Sequence, residues 1–425
     1  MNYLIETIGC QMNVCDSDFL GSALSSYGAS KVGALADADI IILNTCAVRA
    51  QAEQKAFSFL GRVEDFKRKK KPALKVIVAG CMAERLGNGI RKRFRCVDLI
   101  IGAKDIDSAA FKIMDLCGIA KDKKKEKTET KSDIIRYLTI MRGCDNYCSY
   151  CIVPFVRGKE TSLDYKAILR DCSVMAENGA KEIMLLGQNV NSYNYGGIDF
   201  ASLIQKVAAI EKIERIRFMT SHPKDLSDRL IDTMAGEPKV CSHIHLPMQS
   251  ASDNILKAMN RKYTYRRYLE LVEKLRNKIP GVNITTDIIV GFPGETEEDF
   301  KASLKAVGDI RFGGLYVFRY SPRPGTKAAS MTDDVPFEEK KRRHALILEL
   351  SNTISAEIVS SYAGTVQQVL AEKYDNGILE ARTRSARKVF IKGGRQYLGK
   401  TIDVFVREAK INSLFGDIYG KDQKA

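Results

Sequence analysis

Long apolar runs are missing from this chain: nowhere do eighteen consecutive apolar residues occur, which argues against a membrane-spanning helix. No leader-like segment precedes the first strand-like run, Tyr3-Leu4-Ile5, so a cytoplasmic protein is expected. A disulfide framework is absent too, since eleven cysteines, an odd number spread from Cys10 to Cys241, suit a reducing compartment and metal ligation better. What remains is a 425-residue chain with 45% apolar content, long enough for two or three α/β domains with real cores. Its net charge of +15 suits a polyanionic partner, most simply nucleic acid, and charge alone suits a solubilising surface about as well.

The next absence is a fourth ligand. Residues 137–158 read YLTIMRGCDNYCSYCIVPFVRG and place Cys144, Cys148 and Cys151 in the spacing C-x3-C-x2-C directly after an apolar strand. The next cysteine is Cys172, and no histidine is near. A structural zinc site would need four such ligands, and a disulfide would leave one thiol over. Three thiolates on a [4Fe–4S] cluster leave one iron open, which is the favoured reading. The run resembles the radical S-adenosylmethionine (SAM) superfamily. That resemblance implies that the open iron chelates SAM, and that one-electron reduction yields a carbon radical able to take hydrogen from an unactivated carbon.

Upstream, three apolar runs each end in a cysteine. Tyr3–Ile8 leads to Cys10, Ile40–Leu43 to Cys46 and Val76–Ala79 to Cys81, with gaps of 36 and 35 residues, enough for a strand and a crossover helix. Helices are expected over Ser17–Tyr27 and Ala50–Lys67 and a fourth strand over Val97–Ile101. In such a doubly wound parallel sheet the carboxyl ends of the strands share one edge, which would bring the three thiols together. Cys96, Cys117, Cys172 and Cys241 read as simply buried, while Cys15 suits either role. The surrounding segments, IGCQMN at 8–13, NTCAVR at 44–49 and GCMAER at 80–85, closely resemble the N-terminal domain of the methylthiotransferases. That resemblance implies a second [4Fe–4S] cluster on Cys10, Cys46 and Cys81.

Four segments follow: 1–118 for the sheet domain, 119–133 for a linker rich in lysine, 134–360 for a radical SAM core and 361–425 for a β module. The core alternates strands at Tyr137–Met141, Glu182–Leu186, Arg215–Thr220, Ser242–Leu246, Asn283–Val290 and Leu315–Arg319 with five helices, a partial (β/α)6 barrel whose chemistry belongs at the strand carboxyl ends. Those helices are expected at Asp164–Asn178, Phe200–Ile210, Lys224–Ala235, Tyr265–Lys278 and Thr296–Val307, the last capped by Thr296. His243 and His245 alternate along a strand and read as packed, hydrogen-bonded residues, and His222 is not taken for a metal ligand.

LLGQNVNSYNYG, RIRFMTSHPKDL, HLPMQS and TDIIVGFPGET resemble the methylthiotransferase subfamily acting on N6-isopentenyladenosine in tRNA, with the GQNVN loop as the discriminating piece. The resemblance implies SAM contacts from Tyr150, Gln188, Asn189, Ser221, Gln249 and Asp287. Two departures, Ala251 after Gln-Ser and Leu163-Asp164 where the family has Arg-Pro, touch no cluster ligand.

After a long charged helix over Pro336–Tyr362, five short β runs suit a small closed barrel of the oligonucleotide-binding kind. With ARTRSARKVF at the place of the family's loop, the module resembles the TRAM domain, although Ala381 stands where that loop has its first glycine. Arg382, Arg384, Arg387 and Lys388, together with Arg157, are candidates for phosphate contact. The reading as a whole is an enzyme that methylthiolates C2 of N6-isopentenyladenosine beside the anticodon. It would use one SAM as methyl donor and one as radical source, with all six cluster cysteines catalytic. Its partners would be tRNA, an electron donor such as flavodoxin or ferredoxin and a sulfur source, and it would act as a monomer away from membranes. The rivals are a sister enzyme acting on threonylcarbamoyladenosine and a non-catalytic RNA-binding iron–sulfur protein.

Overall fold

The computed structural model describes residues 1–47, 50–119, 133–411 and 413–420, so the expected linker lies almost wholly outside the described residues. Two compact units emerge: 1–131 with 142–145 and 151–161, and 132–141 with 146–150 and 162–425.

The first unit carries a five-stranded, all-parallel sheet. Strands β1 (Asn2–Ile8), β2 (Ser30–Lys31), β3 (Ile40–Thr45), β4 (Lys75–Gly80) and β5 (Leu99–Gly102) stand in the order β2-β1-β3-β4-β5. Alternation along β3 splits its side chains between two cores. Ile41 and Leu43 pack with Leu60 and Val63 on one face, and Ile40 and Ile42 with Leu20 and Leu24 on the other. Coverage on both faces is why the strands read as continuous apolar runs.

Helix α1 runs over Gln11–Ser26, starting six residues before the expected Ser17, because Cys10 and Asn13 form a reciprocal cap at its first turn. Helix α2, Ala50–Lys69, follows the expectation. Strand β5 begins two residues late because Asp98 is diverted: its carboxylate accepts from Lys67 Nζ and from the Val76 amide, both at 2.7 Å.

In the second unit six parallel strands form two three-stranded sheets, Ile135–Thr139 with Glu182–Leu186 and Arg215–Phe218, and His243–His245 with Asn283–Val290 and Gly314–Arg319. A parallel bridge between Ile216 and Val240 joins them, giving the partial barrel. The helix expected over Lys224–Ala235 is broken into a short 3-10 turn, Pro223–Asp225, and Asp228–Gly236, because Ser227 caps the Leu230 amide and restarts it. Thr296 and Asp299 form the capping box expected before Glu297–Ile310.

The chain then runs through a long helix, Phe337–Ser360, into a closed five-stranded barrel with Val369, Leu379, Val389, Val404 and Leu414 at its centre. Ala381 is fully buried in that core, where a small residue fits. Among the described residues no helix is long and apolar enough to cross a membrane.

The loop of this small barrel closes the amino-terminal end of the larger one. Arg215 Nη1 donates to the Arg382 carbonyl (2.7 Å), Arg217 Nη1 to that of Arg384 (3.2 Å) and Asn283 Nδ2 to that of Ser385 (2.6 Å). In return Arg384 Nη2 donates to the Val240 carbonyl at 2.6 Å. Arg217 also pairs with Glu182, Nε to Oε1 at 2.9 Å, with both side chains sealed from solvent. Replacing Arg217 with Met strands that carboxylate, so the single variant should lose about 3–5 kcal/mol. The double variant Arg217→Met/Glu182→Gln should lose clearly less, and the shift in urea midpoint of the two proteins measures the difference.

Candidate active site

Register decides where the first three thiols lie. Ile8 pairs with Thr45, and Thr45 with Gly80, so β1, β3 and β4 end level and Cys10, Cys46 and Cys81 follow along one edge. Cys10 and Cys46 flank the point between β1 and β3 where the strand order reverses, the usual ligand crevice of such sheets. Gly80 has φ of +93°, and a Cβ there would sit 2.5 Å from both Asn44 Oδ1 and the Thr45 carbonyl, so only glycine lets β4 close against β3.

A buried amide network fixes this edge. Asn13 Nδ2 donates to Asn44 Oδ1 (3.0 Å), and Asn44 Nδ2 donates to the Asn13 carbonyl and to Ser17 Oγ (both 2.9 Å). Arg157, also in the first unit, is buried and salt-bridged to Asp16 at 2.9 Å, while its Nε donates to Cys81 Sγ at 3.2 Å. Arg142 holds the other oxygen of Asp16 at 2.9 Å.

The hydrogen bond from Cys46, with the Asn13 amide and the positive charge of Arg157 behind it, brings the Cys10 thiol down to about 6. Burial raises the Cys81 thiol, with Arg157 opposing. Cys15 is half-buried within α1. Cys96, Cys172 and Cys241 are buried as expected, whereas Cys117 is only half-buried.

The cysteine motif of the barrel is anchored by its own backbone. Gly143 (φ +75°) leaves no room for a Cβ, which would meet the Lys159 carbonyl at 2.0 Å, and the next amide, Cys144 N–H, donates to the Gly158 carbonyl at 3.2 Å. In the second unit Ser149 is tied to the chain at 258–259 through its amide (3.0 Å) and hydroxyl (2.8 Å). Cys148 is buried, and its Sγ accepts from Arg261 Nη1 at 3.4 Å. Arg261 is itself held by the Pro247 carbonyl (3.0 Å) and Tyr263 Oη (3.1 Å). Cys144 and Cys151 are half-buried. Among the described residues no three His, Cys, Asp or Glu side chains surround a single ion; in a cubane each thiolate meets a separate iron.

At the carboxyl ends of the barrel strands several buried polar atoms have no protein partner: Gln188 Oε1, Asn189 Oδ1, Ser221 Oγ, His222 Nε2, Gln249 Oε1 and Tyr320 Oη. Each such atom costs about 1–3 kcal/mol unless something meets it, so the mouth is built for a polar ligand. Thr220 (φ +69°) and Gln249 (φ +64°), both non-glycine residues in the left-handed region, mark the same rim. Four of the six expected SAM contacts thus present unpaired atoms there. Of the other two, Tyr150 packs against the cluster of Met259, Phe292 and Tyr320, and Asp287 Oδ2 lies 3.5 Å from His245 Nε2. A ligand with an amino acid end and an adenine, as SAM has, fits this set of amides and hydroxyls. His243 and His245 both bond Thr285 Oγ1, at 3.2 and 3.0 Å, as packed barrel histidines do.

The candidate phosphate contacts are placed differently from one another. Arg157 is committed to Asp16 and Cys81, and Arg382 to Glu372 at 2.7 Å. Arg384 reaches the carbonyls of Pro238 and Val240, Arg387 is half-buried, and Lys388 is exposed beside Glu380 at 2.9 Å. Sequence reasoning passed over Asp16, Arg261 and the contact role of His222; a charged or imidazole residue beside a cysteine motif carries no local signal of what it will touch.

Known proteins bear on this arrangement. Residues 138–307 match the radical SAM superfamily, 2–102 an uncharacterized protein family, UPF0004, and 360–419 the TRAM domain. A tRNA-2-methylthio-N(6)-dimethylallyladenosine synthase of Endomicrobium trichonymphae is 68% identical over 98% of this chain and 100% of its own. The chain belongs to the family of these synthases. A member from Caldicellulosiruptor saccharolyticus is 44% identical over 98% of this chain and 92% of its own. In fold, the chain is similar to the radical S-adenosylmethionine methyltransferase TsrM of Kitasatospora setae, at a TM-score of 0.56 and 13% identity over 88% of this chain and 81% of that one. Membership of a radical SAM family implies a [4Fe–4S] cluster and SAM.

In the metal-free synthase, Cys10 is exposed and forms its thiolate above about pH 6, whereas burial pushes Cys96 up to about 11 and Cys172 up to about 12. Iodoacetamide should therefore label Cys10 ahead of those two at neutral pH, with a rate that rises as pH increases through about 6. Peptide mass spectrometry reads the order, and Cys46→Ala should return the midpoint toward an ordinary thiol.

Proposed function

We propose that this protein attaches a methylthio group to C2 of N6-isopentenyladenosine in tRNA, next to the anticodon. The observation that carries the reading is the 68% identity with a synthase of that name along the whole chain. Cys144, Cys148 and Cys151 would hold one [4Fe–4S] cluster and Cys10, Cys46 and Cys81 a second, with one iron of each left to an outside ligand. With reduced cluster and SAM bound, the barrel is supplied with the one-electron chemistry that an inert aromatic C–H requires.

What the chain's own residues do is position and shield. Gln188, Asn189, Ser221 and Gln249 would offer SAM their unpaired atoms, and Tyr150 and Asp287 would contact it as well. Arg261 and Arg157 each donate a hydrogen bond to a sulfur of one of the two trios, which orients that side chain. At the other end of the second unit, tRNA would lie against the small barrel. Phe390 and Phe415 stack there at 5.6 Å between centroids, Lys410 stands 5.1 Å over Phe415, and Lys388 is exposed nearby on the strand of Phe390. Aromatic rings with cations beside them form a platform for unstacked bases. The protein would work as a cytoplasmic monomer, with flavodoxin or ferredoxin as reductant and a separate sulfur source.

Mass spectrometry of digested tRNA, from cells with and without the gene, tests the activity. The 2-methylthio-N6-isopentenyl nucleoside should vanish without it and the isopentenyl nucleoside should accumulate; a change confined to threonylcarbamoyladenosine derivatives would transfer the assignment to the sister reaction. For the cluster roles, Cys46→Ala should keep reductive SAM cleavage yet yield no thiomethylated product, and continued product would remove the second cluster from the scheme. Phe390→Ala should weaken tRNA binding by about 1–3 kcal/mol in a filter-binding titration without altering SAM cleavage.

A further inference from the structure

His222 sits just past the third barrel strand, buried at 5% exposure. Its backbone is clamped twice by one side chain: Asn191 Nδ2 donates to the His222 carbonyl (2.9 Å), and the His222 amide donates to Asn191 Oδ1 (2.8 Å). The ring is packed edge-on against Tyr263, with centroids 5.6 Å apart and planes at 76°. Tyr263 in turn is tied to the carbonyls of Pro247 and Met248, in the loop after the fourth strand.

One ring nitrogen is spoken for. Nδ1 accepts from the Lys224 amide at 3.2 Å, so Nδ1 carries the lone pair and the proton resides on Nε2. That Nε2–H is buried and meets no protein acceptor. Burial, with the charges of Arg261 and Lys224 nearby, pushes the imidazole down to about 2, so it is neutral at any physiological pH.

We propose that His222 is an adenine-binding residue, whose Nε2–H donates to a ring nitrogen of an adenine held in the barrel mouth. This rests on the function proposed above. A neutral donor suits a neutral acceptor such as an adenine nitrogen, whereas a carboxylate would draw the ring toward protonation, which this environment resists. The unpaired oxygens of Gln188, Asn189 and Gln249 on the same rim are acceptors for the donors an adenine or an amino group brings. Both SAM and the modified nucleoside contain adenine, and the chemistry at His222 is the same for either.

Binding separates the two sources. The full chain, reconstituted anaerobically with iron and sulfide, is titrated with SAM and, separately, with an anticodon stem–loop RNA carrying N6-isopentenyladenosine. His222→Phe keeps the ring against Tyr263 and removes the donor; it should weaken one of the two ligands roughly 10-fold, and His222→Gln, which restores an N–H, should recover most of the loss. Weakening of SAM assigns the cofactor's adenine, and weakening of the RNA assigns the substrate's. Unchanged affinity for both, at wild-type iron content, overturns the proposal while leaving the enzyme reading intact; a wild-type chain that binds neither ligand overturns the enzyme reading itself. Should His222→Phe misfold, 15N-histidine labelling of the wild-type chain decides, since it holds only four histidines. The His222 Nε2–H resonance, identified by its loss in His222→Gln, should shift on addition of one ligand, and its constancy with both would overturn the proposal.

Discussion

Parallel pairing is the constraint from which the rest of this structure follows. In a parallel sheet every strand points the same way, so each βα turn opens on one edge and each αβ return on the other. The sheet of the first unit and the larger barrel of the second obey it: β1, β3 and β4 end level and carry their cysteines just beyond, and the six barrel strands end in the loops that hold Gln188, Ser221, Gln249 and Tyr320. The opposite end of the barrel is left for architecture, and there the carbonyls at 382–385 are gripped by Arg215, Arg217 and Asn283.

Buried guanidinium groups recur wherever a site must be held. Arg217 neutralises Glu182, Arg157 neutralises Asp16 and touches Cys81, and Arg261 touches Cys148. A guanidinium suits this use because it stays charged at any accessible pH and spreads five donors in a plane. At Arg157 those donors serve a carboxylate and a thiol at once, which links the amide network on α1 to the sulfur beyond β4. The internal pairs Arg157–Asp16, Arg217–Glu182 and Arg343–Glu295 cancel in the net charge, so the excess of +15 belongs to residues outside them.

The small barrel shows how one cluster of basic residues divides its labour. Arg382 and Arg384, which look like phosphate contacts in the sequence, turn to Glu372 and to the carbonyls of Pro238 and Val240. A half-buried aromatic pair, Phe390 and Phe415, and the exposed Lys410 sit elsewhere on the barrel. Density of charge along a chain says nothing about direction, and in a closed barrel neighbouring residues point alternately in and out.

The sequence by itself determined the order of the principal elements, the number of barrel strands and the closed β module, because hydrophobic periodicity is a local pattern written within a few dozen residues. Asn283–Val290 and Tyr265–Lys278 were readable to the residue for that reason, and the early start of α1 was not, since it depends on a cap formed between Cys10 and Asn13. Tertiary structure alone decided which polar atoms are paired. That Arg157 meets Cys81 across 76 residues, that Arg384 meets Val240 across 144, and that His222 keeps one nitrogen free are outcomes of three-dimensional packing, where hydrogen-bond reach of about 3 Å selects partners that no separation along the chain can announce.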